Sequence, residues 1–245
     1  MAKAISLEEL PILSKTNLPT LTRDYSSGAA FLIDKPISFT SFDVVKILRR
    51  LINVKKVGHA GTLDPLADGL LILCVGRATK SISQIQELDK TYQVEVTLGS
   101  TTPSLDRATE VESRAEYSHI EKDNVEEVLN NQFTGEIYQV PPMYSAVKVA
   151  GQRLYKKARK GETVERQARP VHIKDIKLLN FDLPGLDLEV RCSKGTYIRT
   201  LAYDIGKALG SLGYVTQLRR TAIGPYSAEE AMKPEELKSI FESDG

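Results

Sequence analysis

The sequence lacks tryptophan and holds only two cysteines, Cys74 and Cys192, which lie 118 positions apart. They form neither a CxxC pair nor the dense disulfide framework of small secreted domains. We therefore predict two free thiols in a reducing compartment, and we expect a cytoplasmic protein.

Long hydrophobic runs are also missing. The longest unbroken apolar run, Leu70–Val75, is far shorter than the roughly 20 residues that cross a bilayer. Glu8, Glu9 and Pro11 interrupt the first residues, so we expect no secretory signal and no membrane association. The 245 residues are 41% hydrophobic and 27% charged, which is typical of a globular chain and excludes intrinsic disorder.

The fingerprints of nucleotide-binding and metal-binding sites are absent. The sequence contains no GxGxxG, GxxxxGK[ST], HExxH or GxSxG pattern, and its histidines at 59, 119 and 172 are widely spaced. His59, Asp64 and Asp68 could face one metal ion, but carboxylates in a loop rich in glycine and proline are more often turn residues. We expect neither a cofactor nor a metal.

Charge is distributed unevenly although the formal net charge is only +1. Residues 146–177 hold ten basic and three acidic residues, whereas residues 104–136 hold nine acidic and three basic ones. This asymmetry indicates either one face for a polyanion and another kept in water, or simply two solvated faces. Charge alone leaves both readings open.

Hydrophobic periodicity predicts an α+β protein. Tyr92, Val94, Val96 and Leu98 alternate with polar residues, as in a half-buried strand. Thr40 and Asp43 are placed as a capping box before an amphipathic helix with Val44, Leu48 and Leu51 on one face. Further strands are predicted at 31–33, 70–75, 171–181, 186–192 and 214–223, and further helices at 78–85, 125–131, 197–209 and in part of 144–169. The irregular interleaving favours a mixed, mainly antiparallel sheet flanked by helices over a doubly wound parallel one.

The segment Gly58–Gly69 is too rich in glycine and proline for a regular element, so we predict a structured loop. Pro65 restricts Asp64 to extended geometry, and the glycines allow a ligand to approach the backbone closely. A carboxylate held in this way can act as a nucleophile if a cation or several donors keep it ionised. The alternative is an Asx-type turn, which these features alone favour.

Five collinear motifs from 34 to 220 resemble those of the TruB family of pseudouridine synthases. Gly58–Gly69 is similar to the family's signature loop, in which the aspartate of GxLDP is catalytic. The other four are Asp34-Lys35-Pro36, Asp89-Lys90-Thr91-Tyr92, Val140-Pro141-Pro142-Met143-Tyr144-Ser145-Ala146, and Cys192-Ser193-Lys194-Gly195-Thr196-Tyr197-Ile198-Arg199 followed by Leu218-Arg219-Arg220. The resemblance implies the pseudouridine synthase fold and isomerisation of uridine 55 in the T-loop of tRNA, without a cofactor.

The resemblance also implies roles for individual residues. Asp64 would be the catalytic acid and Arg199 its cation. Tyr92 would stack on the uracil, Tyr197 would line the pocket, and Leu218 would pack on the base from the other side. His59 would fill the space that the flipped nucleotide leaves, and Lys35 would be structural or directed at a phosphate. The basic insertion at about 144–169 would grip the RNA backbone through Lys148, Arg153, Lys156, Lys157 and Lys160.

Three departures from the family pattern stand out. Asp68 replaces a usual threonine, and Pro103-Ser104 replaces a usual Asp-Thr. The third departure concerns the domain organisation. We expect an arm at 1–28, a catalytic domain at 29–228 and a short helical tail at 229–245, without the PUA-like domain of many relatives. That organisation predicts an enzyme that acts on the tRNA T-arm without an obligate protein partner. The alternatives are a tRNA-folding chaperone without catalysis and the catalytic subunit of a guide-RNA particle.

Overall fold

Strands and helices alternate irregularly along the residues that the computed structural model describes, which are 3–17, 25–145, 147–149, 151–158 and 160–242. The strands are β1 (Ile12–Leu13), β2 (Ala29–Lys35), β3 (Val57–His59), β4 (Asp68–Val75), β5 (Lys90–Leu98), β6 (Ser100–Thr101), β7 (Ser113–Arg114), β8 (Gly135–Gln139), β9 (Lys148–Val149), β10 (Gln152–Arg153), β11 (Arg169–Asp182), β12 (Gly185–Cys192), β13 (Gly213–Ile223) and β14 (Tyr226–Ser227). The α-helices are α1 (Ser41–Ile52), α2 (Ile82–Glu87), α3 (Lys122–Gln132), α4 (Leu154–Ala158), α5 (Ile198–Ala208) and α6 (Pro234–Glu242), and short 3₁₀ segments cover Gly76–Ser81 and Ala228–Glu230.

The chain divides into two compact units. The first comprises Met1–Tyr92 and Arg219–Gly245, and the second comprises Gln93–Leu218. Strands β5 and β13 each contribute to both units, because the boundaries fall within them.

The first unit is built around β4. In the strand order β1-β2-β4-β13, β2 runs antiparallel to β4 with Lys35 opposite Gly69, and β13 runs parallel to it with Arg220 opposite Gly69. Strand β3 pairs with the far end of β4, where His59 lies opposite Leu73. The segment that joins β3 to β4 therefore begins and ends on the same pair of strands.

Both faces of β4 are buried, which explains its unbroken apolar run. Leu71, Leu73 and Val75 pack with α1 and α6 on one face. Leu70, Ile72 and Cys74 pack on the other face with Ala78, Ile85 and Ile223. The predicted strand at 70–75 is confirmed.

Helix α1 begins at the predicted capping box. Thr40 Oγ1 accepts the Asp43 backbone N–H at 3.1 Å, and the Asp43 carboxylate accepts the Thr40 N–H at 3.1 Å. Val44 and Leu48 are buried, whereas the opposite side of the helix faces solvent. The capping box and the amphipathic helix are both confirmed.

The second unit contains a largely antiparallel sheet in the order β5-β12-β11-β8. Strands β11 and β12 form a long hairpin, and β8 pairs with the start of β11. Val125 and Leu129 of α3 and Leu201 and Ile205 of α5 are buried. With parallel and antiparallel pairs in one fold, the predicted mixed α+β class is confirmed.

Two predicted elements differ in detail. The helix predicted over 78–85 is a 3₁₀ segment at Gly76–Ser81 followed by α2 at Ile82–Glu87. His59, which the sequence predicts within the loop, ends strand β3, so the irregular part of the loop is residues 60–67. The partly helical character predicted for 144–169 is confirmed by α4.

Candidate active site

The loop that carries Asp64 leaves β3 and returns into β4 within the first unit. Its central turn is closed by the Ala67 N–H, which donates to the Asp64 carbonyl at 3.1 Å. The Pro65 carbonyl accepts the Ser38 N–H at 2.8 Å, which ties the turn to the segment before α1. The Asp64 side chain is half-buried, so a carboxylate lies at the surface on a fixed backbone.

Ser41, the first residue of α1, holds the residue before Asp64. Its buried hydroxyl accepts the Leu63 N–H at 2.9 Å and donates to the Leu63 carbonyl at 3.2 Å. Because one hydroxyl satisfies both backbone groups of Leu63, the loop is anchored directly to the first turn of the helix. The backbone beside Asp64 cannot shift without breaking this pair.

Arg220 braces the start of the same loop from strand β13. Its side chain is 2% exposed, and its guanidinium donates to three backbone carbonyls. Nε donates to Leu70 at 2.7 Å, Nη1 to Thr62 at 3.3 Å and Nη2 to Gly61 at 3.3 Å. A buried cation thus directs its donors to the loop and to β4, which fixes the loop against the sheet.

Arg219, the preceding residue, joins the ends of β2 and β4. Its guanidinium makes a bidentate pair with Asp34 at 3.1 and 3.0 Å, and Nη1 also reaches Oδ2 of Asp68 at 3.0 Å. The hydrogen bond to Asp34 raises the pKa of Arg219 by more than burial lowers it, so the pKa lies above its ordinary value. Asp68, one of the departures from the family pattern, therefore serves as the second carboxylate of this bridge.

Lys35 is fully buried at the end of β2. Its ammonium donates to the carbonyls of Pro36 at 2.9 Å and Phe39 at 2.8 Å. Burial lowers the pKa of Lys35 to about 8, and the charges of Asp68 and then Asp64 oppose that shift. Lys35 thus lies within electrostatic reach of the loop aspartates and holds the chain that leads into α1.

His59 and Tyr92 complete the predicted residues of the first unit. His59 is half-buried at the end of β3, and its Nδ1 is buried without a hydrogen-bond partner among the described residues. Burial lowers the pKa of His59, which favours the neutral imidazole. Tyr92 is 9% exposed on β5.

Arg199 forms a polar cluster in the second unit. The side chain, 5% exposed, lies on the first turn of α5. Its Nη1 donates to the Ser104 carbonyl and its Nη2 to the Tyr144 carbonyl, both at 2.9 Å, and Nε lies 3.6 Å from Oδ2 of Asp106. The VPPMYSA segment and the loop after β6 are thereby joined to α5 through one guanidinium.

Asp106 organises the loop at the second departure from the family pattern. Its Oδ1 accepts the Ser104 hydroxyl at 2.6 Å and the Ala108 N–H at 2.9 Å. The Ser104 hydroxyl also bonds the Thr109 hydroxyl at 2.9 Å. Ser104 therefore provides a hydroxyl to Asp106 and a carbonyl to Arg199.

Tyr197 precedes α5 and is half-buried. The buried Gln139 side chain accepts the Tyr197 N–H at 3.0 Å and donates to the Tyr197 carbonyl at 3.3 Å. Leu218 is half-buried on β13. The proposed pairing of Asp64 with Arg199 stays a prediction, since the two residues belong to different units.

The predicted RNA-gripping insertion is described in part. Lys160 is exposed and Lys157 is half-buried. The side chains of Lys148, Arg153 and Lys156 lie outside those that the structure describes. The described backbone forms the short β9–β10 hairpin and α4.

Comparison with known proteins assigns this chain to a family. The family model described as "TruB family pseudouridylate synthase (N terminal domain)" matches residues 49–198. A second, "tRNA pseudouridylate synthase B C-terminal domain", matches residues 199–244. The chain belongs to the TruB family.

Two relatives in the TruB family match over nearly their whole length. A protein of Parabacteroides distasonis named tRNA pseudouridine synthase B is 48% identical over 225 residues, which is 89% of this chain and 95% of the relative. A protein of the same name from Flavobacterium johnsoniae is 45% identical over 216 residues, 85% of this chain and 94% of the relative.

Solved structures from complexes that contain Cbf5 are similar to this chain in fold. A chain of the archaeal box H/ACA sRNP Nop10-Cbf5 complex superposes with a TM-score of 0.67 and 25% identity over 91% of this chain. This chain spans 57% of the length of that one. A Cbf5-Nop10-Gar1 complex matches with a TM-score of 0.67 and 26% identity, over 94% of this chain and 58% of that chain.

Four residues support the loops of this TruB-family chain, although the sequence analysis assigned them no role. They are Ser41, Gln139, Arg219 and Arg220. Arg219 and Arg220 stand in the last of the resembling motifs, but their partners lie 150 or more positions away, as for Arg220 and Leu70. Two adjacent arginines on a predicted strand, which point to opposite faces, are the signal that could have found them.

Two further sequence predictions about this TruB-family chain concern its cysteines and membrane-spanning helices. Cys74 and Cys192 are buried thiols that are not joined in a disulfide, as predicted, and burial raises the pKa of Cys74 to about 12. Of the helices in the described part of the chain, none combines the length and the apolar character that crossing a bilayer requires.

Proposed function

We propose that this chain converts uridine 55 in the T-loop of tRNA to pseudouridine. Its family membership and its relatives named tRNA pseudouridine synthase B make it an isomerase that forms pseudouridine in tRNA. The choice of the T-loop uridine follows from the resemblance of its motifs.

The reaction is an isomerisation in which atoms balance without a co-reactant. The target uridine leaves its stack, the N1–C1′ bond breaks, the base rotates, and C5 bonds to C1′. C5 then loses its proton to water and N1 gains one. The carboxylate of Asp64 either adds covalently or assists formation of a glycal-type intermediate.

Each proposed residue has one task in this reaction. Asp64 provides the reacting carboxylate and Arg199 keeps it ionised through a charge-assisted bond. Tyr92 stacks on the uracil, while Tyr197 and Leu218 line the pocket. His59 fills the space that the everted nucleotide leaves, and Lys35 holds the chain beside the loop.

The observation that carries this proposal is the fixed position of the loop around Asp64. Ser41 holds Leu63 and Arg220 holds Gly61 and Thr62, so the backbone is pinned just before the carboxylate. A catalytic group held in place does not lose orientational freedom during the reaction, which can lower the barrier by several kcal/mol. An ordinary turn aspartate needs no such bracing from two other elements.

The test is release of tritium from a T-stem-loop transcript labelled at C5 of uridine. Wild type should release the label as C5 bonds to C1′, and Asp64→Asn should release none above background. Asp123→Asn, which removes an exposed carboxylate on α3, is the matched control and should behave like wild type. Full activity of Asp64→Asn would remove Asp64 from its role.

The likeness to Cbf5 chains favours a second candidate, the catalytic subunit of a guide-RNA particle. That role predicts inactivity of the purified chain without partners. We expect the chain to act alone in the cytoplasm, where its tRNA substrate lies. A tRNA-folding chaperone would instead keep its cellular effect in Asp64→Asn.

A further inference from the structure

The solvent face of α1 and the turn after it form a basic stripe, which we define as Lys46, Arg49, Arg50, Lys55 and Lys56. All five side chains are exposed. Between residues 43 and 56 the only acidic residue is Asp43. This stripe lies in the first unit and is separate in sequence from the basic segment 146–177.

Helical geometry places the helical members of the stripe together. Phe42, Lys46, Arg49 and Arg50 are spaced i, i+4, i+7 and i+8, so they share one face of α1. The opposite face carries Val44, Val45 and Leu48, which are buried. From Phe42 to Arg50 this face covers about 12 Å along the axis of α1.

Most of the stripe's charge is not neutralised within the protein. Lys46 pairs with Asp43 at 3.2 Å, between side chains that are 59% and 41% exposed. Arg50, Lys55 and Lys56 form no ion pair with any residue that the structure describes. Stabilisation of the α1 dipole explains basic residues in its last turn. It does not explain Lys55 and Lys56, since the helix ends at the left-handed Asn53.

The stripe starts beside the Asp64 loop. Ser41, whose hydroxyl holds Leu63, is followed by Phe42, an aromatic side chain that is 53% exposed. The Lys46 ammonium lies 4.9 Å from the centre of the Phe42 ring. An exposed ring next to a row of cations is the combination that binds bases and phosphates of RNA.

We propose that this stripe, with Phe42 at its start, is a second tRNA-binding surface that contacts phosphates next to the target loop. The inference rests on the proposed function and extends it from the reacting base to the RNA backbone. Phosphate contacts of this kind position a nucleic acid without reading its sequence. An RNA bound at Asp64 then lies beside Phe42 and the cations of α1, Lys46, Arg49 and Arg50.

The test compares two triple variants that each remove three positive charges. Arg50→Gln/Lys55→Gln/Lys56→Gln changes the stripe, and Arg114→Gln/Lys122→Gln/Lys238→Gln changes exposed residues that lie among acidic ones. The dissociation constant for unmodified tRNA is measured over a range of salt concentrations, together with kcat and KM for tritium release. Thermal unfolding checks that both variants fold, and Lys55→Gln/Lys56→Gln leaves α1 intact if the triple variant does not fold.

We expect the stripe variant to bind tRNA about tenfold more weakly, with a salt slope lower by roughly 0.7–0.9 for each phosphate that the variant no longer neutralises. KM should rise with the dissociation constant while kcat stays near wild type, and the control variant should change little. Equal dissociation constants and salt slopes for the two variants would overturn the inference. A wild-type chain that binds tRNA but releases no tritium would refute the proposed function alone, because the binding comparison still decides the stripe.

Discussion

The hydroxyl of Ser41 bonds both backbone groups of Leu63, accepting its N–H at 2.9 Å and donating to its carbonyl at 3.2 Å. The two residues lie 22 positions apart, and Asp64 follows Leu63 directly. The first turn of α1 therefore sets the backbone position of the proposed catalytic carboxylate.

Ser41→Ala should impair catalysis more than folding. Loss of the hydroxyl leaves two buried backbone groups unsatisfied, at a cost of about 1–3 kcal/mol. If the loop moves, the Asp64 carboxylate loses its fixed orientation. We therefore expect kcat to fall roughly tenfold with little change in KM for tRNA. Ser6→Ala removes an exposed hydroxyl that bonds Glu9 and is the matched control. A kcat equal to that of the control would contradict the anchoring role.

The bridge from Arg219 to Asp34 and Asp68 should appear as energetic coupling. A double-mutant cycle of Arg219→Gln with Asp34→Asn should give an interaction free energy of about 1 kcal/mol in urea unfolding, because the pair is bidentate. The cycle with Asp68→Asn should give less, since Asp68 is more exposed and bonded once. Additive effects in both cycles would mean that the bridge contributes no net stability.

Gln139→Ala should destabilise the second unit at the start of α5. The amide satisfies the N–H and the carbonyl of Tyr197, and its removal takes both hydrogen bonds from the half-buried start of α5. We expect a loss of about 1–3 kcal/mol in the free energy of unfolding. Gln132→Ala, on the exposed end of α3, should cost far less. Equal losses for the two variants would count against this account.

The lowered pKa of Lys35 predicts that the free energy of unfolding rises with pH in the alkaline range. Burial lowers its pKa to about 8 in the folded chain from 10.5, so between these values the unfolded chain binds more protons. Raising the pH through this window therefore favours the folded state, by about 1.4 kcal/mol for each unit by which the pKa values differ. Below pH 8 both states carry the charge and this dependence vanishes.

The measurement is urea unfolding of wild type and Lys35→Met at several pH values from 7 to 10. The variant loses the hydrogen bonds to Pro36 and Phe39 at every pH, which adds a constant difference. The free energy of unfolding of wild type should rise relative to that of the variant as the pH increases above about 8. Parallel curves of this free energy against pH would show that Lys35 keeps an ordinary pKa.

Local patterns predicted most of the regular structure. The alternation at 92–98 marks β5, and the Thr40–Asp43 spacing marks the start of α1, because both signals lie within a few residues. The helix predicted over 78–85 is 3₁₀ as far as Ser81, and the pattern does not separate the two forms because i+3 and i+4 spacings resemble each other over two turns.

The support of the loop could not be predicted in the same way. Asp64 was identified from its motif, but Arg219 meets Asp34 across 185 positions and Arg220 meets Thr62 across 158. Such pairings depend on how β13 is placed beside β4, which no local pattern encodes. Motif resemblance identifies the reacting group, whereas the residues that hold it require the fold.

The dependence of the loop on Arg219 and Arg220 has a consequence for synthesis on the ribosome. The segment around Asp64 leaves the exit tunnel long before the two arginines that secure it are translated. A nascent chain arrested before residue 219 carries the motif without its brace. Maturation of the loop should therefore wait until both arginines have left the exit tunnel.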